Sequence, residues 1–193
     1  MLVFIIPVVL ISKGDVIYTT ISERIESLNF TDVKSDNALS NKSRFGIQYA
    51  NYQVFKKYPL TGIGWGQQAF ESKELYPEWA TTNNYEFNAI YLNEEIKSFP
   101  PGYNLYLRIL TETGIIGFLI FGLFIGLILY FTYRYLNLKK QNNYISITVF
   151  VTFLGTLLSW FQIDSFRLYI FWLALAILLC LRRFNKKEPV VIK

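Results

Sequence analysis

The sequence predicts an all-α membrane protein with three full transmembrane helices, an N-terminal partial one and a large, mostly helical extracytoplasmic loop. The first observation is composition: 52% of the 193 residues are hydrophobic and 17% are charged. The second is that the charges lie in a few segments, so that long apolar runs remain between them. The third is the helical spacing of aromatic and polar residues within the loop.

Three apolar runs account for the predicted spans. Residues 114–135 carry Arg134 as their only charge, and a hydrocarbon core of roughly 30 Å needs about 20 residues. Residues 144–161 form the second predicted span, and residues 166–181 form a shorter third span. A basic tail, residues 182–193, follows them.

The N-terminal segment, residues 1–12, is apolar but only about half a span long. No basic residue precedes it and no small-residue cleavage pattern follows it, so it is a poor match to a signal peptide. The sequence therefore predicts the C-terminal half of a membrane helix, and a chain that is a fragment of a longer protein.

Basic residues in the short loops predict the orientation. Lys139 and Lys140 lie between the first two spans, and the tail 182–193 adds five more Lys or Arg residues, so both segments are expected in the cytoplasm. Residues 13–113, with ten Lys or Arg against twelve Asp or Glu, are then expected on the outer side of the cytoplasmic membrane. The net charge of +5 thus reflects topology and does not indicate nucleic-acid binding.

Several kinds of chemistry lack their usual residues. Cys180 is the only cysteine and lies inside a predicted span, and the chain has no histidine, so no disulfide framework and no zinc site is predicted. Gly62, Gly64 and Gly66 alternate with other residues, but no βαβ pattern precedes them and no Lys-Ser or Lys-Thr pair follows. A nucleotide-binding loop is therefore not predicted either.

Three parts of the loop lie before residue 100, in addition to the glycine-rich stretch 60–70. Residues 13–42 are predicted to be a polar connection, and residues 43–59 an amphipathic helix that Ser43 caps and Pro59 ends. Residues 71–99 are acidic and aromatic; they are predicted to be a solvated insertion, or else to line an acceptor site. The predicted helix carries an aromatic stripe, expected to pack on the loop or the membrane surface, or alternatively to bind sugars: Phe45, Tyr49, Tyr52 and Phe55.

A double proline precedes the last part of the loop, and from Tyr103 a helix is predicted to continue without a break into the first span. Asn104, Arg108 and Glu112 fall four residues apart and share one face of it. An unbroken helix would hold this polar stripe just above the bilayer, at the depth of a lipid-linked diphosphate. The alternative is that Arg108 and Glu112 form only a surface ion pair. Glycines on this helix are predicted to admit a neighbouring helix: Gly114, Gly117, Gly122 and Gly126.

Two segments, SRFGIQYANYQVFKKYPLTGIGWGQQAF and YNLYLRILTETGIIG, resemble the O-antigen ligase and O-antigen polymerase family of bacterial membrane proteins. The family pattern is similar to an Arg-led helix, then Pro-Leu-x-Gly-x-Gly, then His-Asn-x-Tyr-Leu with a later Glu-x-Gly-x-x-Gly. The matching residues are Arg44, Pro59, Leu60, Gly62, Gly64, Gly66, Phe70, Asn104, Tyr106, Leu107, Glu112, Gly114 and Gly117.

The resemblance implies a glycosyltransferase of surface polysaccharide biosynthesis, making lipopolysaccharide or capsule in the bacterial cytoplasmic (inner) membrane. Its donor would be an undecaprenyl-diphosphate-linked glycan, and its acceptor a glycan or lipid A-core. Such enzymes are metal-independent and use neither a cofactor nor a nucleotide sugar. Ligase and polymerase share the donor and differ in the acceptor, so the sequence leaves both open.

The resemblance also implies candidate site residues, because a leaving diphosphate must be held by cations and the planar fork of arginine suits it. Arg44 carries over from the family motif, and Asn104 belongs to the second motif. Arg108 is added from its position on the polar stripe. Arg167 is added from its position between the last two spans, where it could instead pair with Asp164.

The catalytic group is where the sequence departs from the family. Tyr103 stands where the family usually has a histidine, which is thought to help deprotonate the acceptor hydroxyl. Phenols titrate near pH 10 and are poor bases at neutral pH, although they can orient a sugar. Glu112 is the other catalytic candidate, unless it only pairs with Arg108. The alternative to an enzyme is a truncated, non-catalytic remnant of such a protein.

Overall fold

The computed structural model describes residues 14–26, 36–96, 98–138 and 144–185, and within these ranges it is helical and contains no strand. This confirms the all-α prediction. The helices are α1 (Gly14–Glu26), α2 (Asp36–Lys57), α3 (Gln68–Ser72), α4 (Glu78–Thr81), α5 (Leu105–Leu138), α6 (Tyr144–Ser159) and α7 (Tyr169–Asn185). A 3-10 turn occupies Lys73–Leu75 and a π-helical turn occupies Glu86–Tyr91. The predicted partial span at residues 1–12 and most of the tail lie outside the described residues.

One helix of the described chain, over Leu105–Arg134, is long and apolar enough to cross a membrane. It is part of α5, which runs from Leu105 to Leu138 and so includes the predicted first span, 114–135. Helices α6 and α7 are apolar but shorter, with 16 and 17 residues, so the second and third full spans stay predictions. The three helices share an apolar cluster centred on Phe153, Trp160 and Phe171.

The first part of the loop differs from its prediction. Helix α1 and the start of α2 lie within residues 13–42, where a polar connection was expected. Ser43 lies inside α2 and does not cap it; its hydroxyl donates to the Leu39 carbonyl at 3.2 Å and accepts from Asn84 Nδ2 at 2.9 Å. The predicted end of the helix is confirmed, because α2 ends two residues before Pro59.

The aromatic stripe of α2 packs less closely on the loop than the adjoining face of the helix does. Small and aliphatic side chains are buried there, namely Ile47, Ala50 and Val54. Phe45, Tyr49 and Tyr52 stay 44–46% exposed. Tyr49 nevertheless packs edge-on against Trp79 of the loop, with ring centroids 6.5 Å apart, so the expectation that the stripe packs on the loop is confirmed in part. Contact with the membrane surface or with sugars stays a prediction.

The predicted unbroken helix is interrupted at Gly114. This residue has φ +65° and ψ −170°, a conformation that essentially only glycine adopts. An unbroken helix would bond Ile115 N–H to the Thr111 carbonyl and Ile116 N–H to the Glu112 carbonyl. Here the Thr111 and Glu112 carbonyls accept from the loop instead, from Ile63 N at 3.3 Å and Gly64 N at 2.9 Å.

The helix amides that lose their internal partners also bond to this loop, which is rich in glycine and comprises residues 59–66. Ile115 N donates to the Pro59 carbonyl at 2.9 Å, and Ile116 N donates to the Leu60 carbonyl at 3.4 Å. Two internal helix bonds are thus replaced by four bonds to the loop. This joint between the loop and α5, which we call the glycine joint, fixes the start of the long apolar part of α5 against the loop.

The glycines on either side of the joint explain why it can form. A Cβ at Gly62 would overlap the Glu112 carbonyl group, and a Cβ at Gly114 would overlap the Leu60 carbonyl group. Gly122 and Gly126, which were predicted to admit a neighbouring helix, have open space beside them within the described chain. The close approach that was predicted for helices therefore occurs between a helix and a loop.

Candidate functional site

A cavity of about 570 Å³ opens beside the glycine joint, between the loop, α5 and the connection from α6 to α7. We call it the charged cavity, because Arg108, Glu112, Asp164 and Arg167 line it. Two positive and two negative side chains make it formally neutral. Aromatic rings complete its wall: Trp65, Phe70, Phe99 and Phe166.

Arg108 is the centre of the charged cavity. Its Nε lies 3.1 Å from Glu112 Oε1, and its Nη1 lies 3.1 Å from the Asp164 carbonyl and 3.5 Å from Asp164 Oδ2. Its guanidinium also lies 5.6 Å from the ring centroid of Trp65. One guanidinium therefore positions two carboxylates that come from different parts of the chain.

Glu112 is fully buried at its side chain, so its pair with Arg108 is not the surface ion pair that the sequence left open. The cavity-lining carboxylate uses only one oxygen in that pair. Its Oε2 is buried and has no hydrogen-bond partner among the described residues. An unpaired buried carboxylate oxygen is costly, and Glu112 is one of the residues that line the cavity.

Asp164 is a site residue that the sequence did not select. Its Oδ2 accepts from the backbone N–H of Gly102 at 2.6 Å as well as from Arg108. A Cβ at Gly102 would lie 3.2 Å from that oxygen and 3.2 Å from Gln68 Oε1, so the glycine allows the close approach. The sequence left open whether Arg167 contacts phosphate or pairs with Asp164; among the described residues, Asp164 pairs with Arg108 instead. Gly102, which follows the double proline, was the feature of the sequence that could have indicated a close contact here.

Arg167 lines the charged cavity and its side chain is exposed. Only its backbone N–H is hydrogen-bonded, to Ser165 Oγ at 3.1 Å, and no described residue pairs with its guanidinium. Arg108 already contacts two carboxylates. Arg167 is therefore the cation of the charged cavity that remains open to an anionic ligand.

Arg44 and Tyr103 lie together but do not line the charged cavity. The Arg44 guanidinium lies 5.2 Å from the Tyr103 ring centroid. The Tyr103 hydroxyl is 3.2 Å from that of Tyr91, and the Tyr103 carbonyl accepts from Gln48 Nε2 at 3.3 Å. Burial and the bond to Tyr103 raise the pKa of Tyr91 well above its ordinary value. The residue in the histidine position is thus part of a tyrosine pair.

Asn104 does not line the charged cavity either. It caps the N-terminus of α5. Its Oδ1 accepts from Leu107 N at 3.0 Å, and its carbonyl accepts from Arg108 N at 3.0 Å. Of the six candidates from the sequence, the structure therefore brings Arg108, Glu112 and Arg167 together at the charged cavity. The other three do not line it: Asn104 caps α5, Tyr103 belongs to the tyrosine pair, and Arg44 covers the Tyr103 ring.

These features define a class of protein: a helical chain with one helix long and apolar enough to cross a membrane, and a charged, aromatic-lined cavity at the start of that helix. A family model for O-antigen ligase matches residues 1–122, well over half of the chain. The chain belongs to the O-antigen ligase family. The matched segment contains both motifs of the glycine joint and ends inside α5. The chain has no significant match among curated proteins or among solved structures.

Proposed function

We propose that the protein is a glycosyltransferase that moves a glycan from an undecaprenyl-diphosphate donor to a sugar acceptor, on the outer side of the bacterial cytoplasmic membrane. The observation that carries the proposal is the charged cavity beside the glycine joint. It combines a free arginine, an unpaired carboxylate oxygen and aromatic walls at the first turns of the membrane-crossing helix. The family is one that acts on lipid-linked glycans and polysaccharide acceptors.

The reaction needs two kinds of group. The acceptor oxygen forms a bond to the anomeric carbon while the bond from that carbon to the diphosphate oxygen breaks. The hydroxyl proton passes to a base, and the electron pair leaves with the diphosphate. A cation is needed near the leaving group, where its charge stabilises the transition state.

Three residues of the charged cavity receive roles on this basis. Arg167 contacts the diphosphate, because its guanidinium is exposed and unpaired. Glu112 accepts the hydroxyl proton or orients the hydroxyl through its free Oε2. Arg108 positions Glu112 and Asp164. Arg44, Tyr103 and Asn104 act outside the charged cavity, as supports of the loop.

The test is a gel of surface glycans from the host strain that lacks this reading frame, complemented by variants at matched protein levels in the membrane. We expect Arg167→Ala and Glu112→Gln to lose most of the restored ladder. Lys57→Ala is the control, because it removes an exposed cation of the same loop at the end of α2. Loss of long chains indicates a polymerase, and lipid-linked chains without their final acceptor indicate a ligase.

An unchanged ladder in the strain that lacks the frame would contradict the proposal and favour the non-catalytic alternative. That alternative is motivated by Tyr103, whose hydroxyl is engaged by Tyr91 and whose ring is covered by Arg44. The Tyr103→Phe variant separates the two readings further. It keeps the ring under Arg44 and removes only the hydroxyl that contacts Tyr91, so an enzyme whose base is Glu112 should keep most of its transfer activity and lose only what the position of Tyr91 contributes.

A further inference from the structure

A second cavity, of about 350 Å³, lies next to the charged cavity. Phe70, Tyr76, Tyr91 and Phe99 contribute aromatic rings to it, and we call it the aromatic cavity. Its polar lining residues are Lys73, Asn93, Glu94 and Ser98. Its single lysine and single glutamate cancel in formal charge, so it has no excess of cations that would select a diphosphate.

The two cavities share a wall. Ala69, Phe70, Phe99 and Pro100 line both of them. The rings of Phe70 and Phe99 are 4.6 Å apart between centroids, and both side chains remain more than half exposed. A ligand that occupied the aromatic cavity would therefore lie directly beside the groups of the charged cavity, separated by two rings.

The lining of the aromatic cavity suits a sugar. Ring faces can stack on the C–H face of a pyranose, while amide, hydroxyl, ammonium and carboxylate groups bond to its hydroxyls. The volume is at the small end of ligand pockets, which span roughly 300–1,000 Å³, and this suits one or two sugar rings.

We propose that the aromatic cavity is the subsite that binds the uncharged sugar of the acceptor and presents its hydroxyl to the charged cavity. The inference rests on the proposed function, because it assigns the second substrate of the same reaction. It also explains the position of Arg44 and Tyr103. Tyr91 forms part of the wall and is held by Tyr103, which Arg44 covers, so both motif residues support the aromatic cavity.

The experiment uses the full chain in detergent micelles and saturation-transfer NMR. The probe is the phosphate-free oligosaccharide that mild acid releases from the surface polysaccharide of the host. Ser98→Trp places a large ring inside the aromatic cavity without removing a described hydrogen bond. Asn88→Trp is the matched control: Asn88 is exposed on the neighbouring π-helical turn and lines neither cavity.

We expect the wild-type chain and Asn88→Trp to bind the oligosaccharide equally. Ser98→Trp should bind it about tenfold more weakly or worse, because the added ring occupies the space that the sugar needs. Lys73→Ala should weaken binding as well. Equal binding by Ser98→Trp and Asn88→Trp, or no binding by the wild type, would overturn the proposal.

The same binding assay separates this proposal from the proposed function. Arg167→Ala changes the charged cavity alone, so it should bind the phosphate-free oligosaccharide like the wild type even though it loses glycan transfer. Loss of the reading frame could leave the glycan ladder unchanged while Ser98→Trp still abolishes oligosaccharide binding. In that case the aromatic cavity is a sugar site and the proposed transfer activity is wrong. If transfer is confirmed and Ser98→Trp binds normally, the acceptor binds elsewhere.

Discussion

The glycine joint makes a quantitative prediction for Gly114→Ala. An alanine at φ +65° and ψ −170° costs of order 1–3 kcal/mol in backbone strain. Its Cβ would also overlap the Leu60 carbonyl group, and this overlap can be relieved only if the loop moves away. That movement breaks the bonds from Ile115 N and Ile116 N to the loop carbonyls, each worth about 1 kcal/mol net. The total loss of stability is therefore roughly 3–5 kcal/mol.

The assay is thermal unfolding of the full chain in detergent micelles, followed by tryptophan fluorescence. Two glycine variants separate the contributions. Gly122→Ala lies on the same helix with open space and should be neutral or up to about 1 kcal/mol stabilising. Gly66→Ala has φ +81° and nothing within 4 Å of the added Cβ, so it should lose only about 1–2 kcal/mol from strain.

The order of the apparent unfolding midpoints is the decisive result. We expect Gly122→Ala highest, Gly66→Ala below it and Gly114→Ala lowest. If Gly114→Ala unfolds at the same temperature as Gly122→Ala, the helix is continuous at this point and the exchange of hydrogen bonds does not exist. If it unfolds with Gly66→Ala, the strain is real but the close approach of the loop is not.

Three further predictions use the same unfolding assay. Arg108→Ala leaves the buried Glu112 carboxylate without its partner and should cost about 3 kcal/mol, with part of the loss recovered when Glu112→Gln is added. Asn84→Ala removes the hydrogen bonds of this side chain to a hydroxyl, a carbonyl and a backbone N–H. It should lower the free energy of unfolding by about 2–3 kcal/mol, and a loss below about 1 kcal/mol would contradict this. Because the pKa of Tyr91 is raised in the folded state, the wild type should lose stability as the pH rises above about 10, and Tyr91→Phe should lose less.

The apolar helices could be predicted because their signal is local. A run of about 20 apolar residues predicts a helix that can cross a membrane, and the structure has a helix of that length and composition over Leu105–Arg134. The break at Gly114 could not be predicted in this way. It depends on carbonyl and amide groups of residues 59–64, which are distant in sequence, and a glycine in an apolar run is equally compatible with close helix packing.

The same distinction holds for the site. Arg108 and Glu112 were paired correctly because four residues on a helix bring side chains together. Asp164 joins them across more than 50 residues of sequence, and only the folded chain shows that it accepts from both Gly102 and Arg108. The stripe on α2 was predicted to pack because its rings are large, and Tyr49 does contact Trp79 of the loop. The most buried side chains of α2 are nevertheless the small and aliphatic ones of the adjoining face, because they allow a tighter approach of other segments.

The two sequence motifs of the family are specific together because each is the structural partner of the other. Gly62 belongs to the first motif and faces the backbone of Glu112 and Gly114, which belong to the second. A change in either glycine therefore moves the other segment, and with it the carboxylate that lines the charged cavity. It follows that the glycines of both motifs act on the proposed chemistry through position alone, and that their variants should change glycan transfer and unfolding temperature in parallel. Arg167→Ala, which alters an exposed side chain with no described partner, should change transfer while leaving the unfolding temperature as it is.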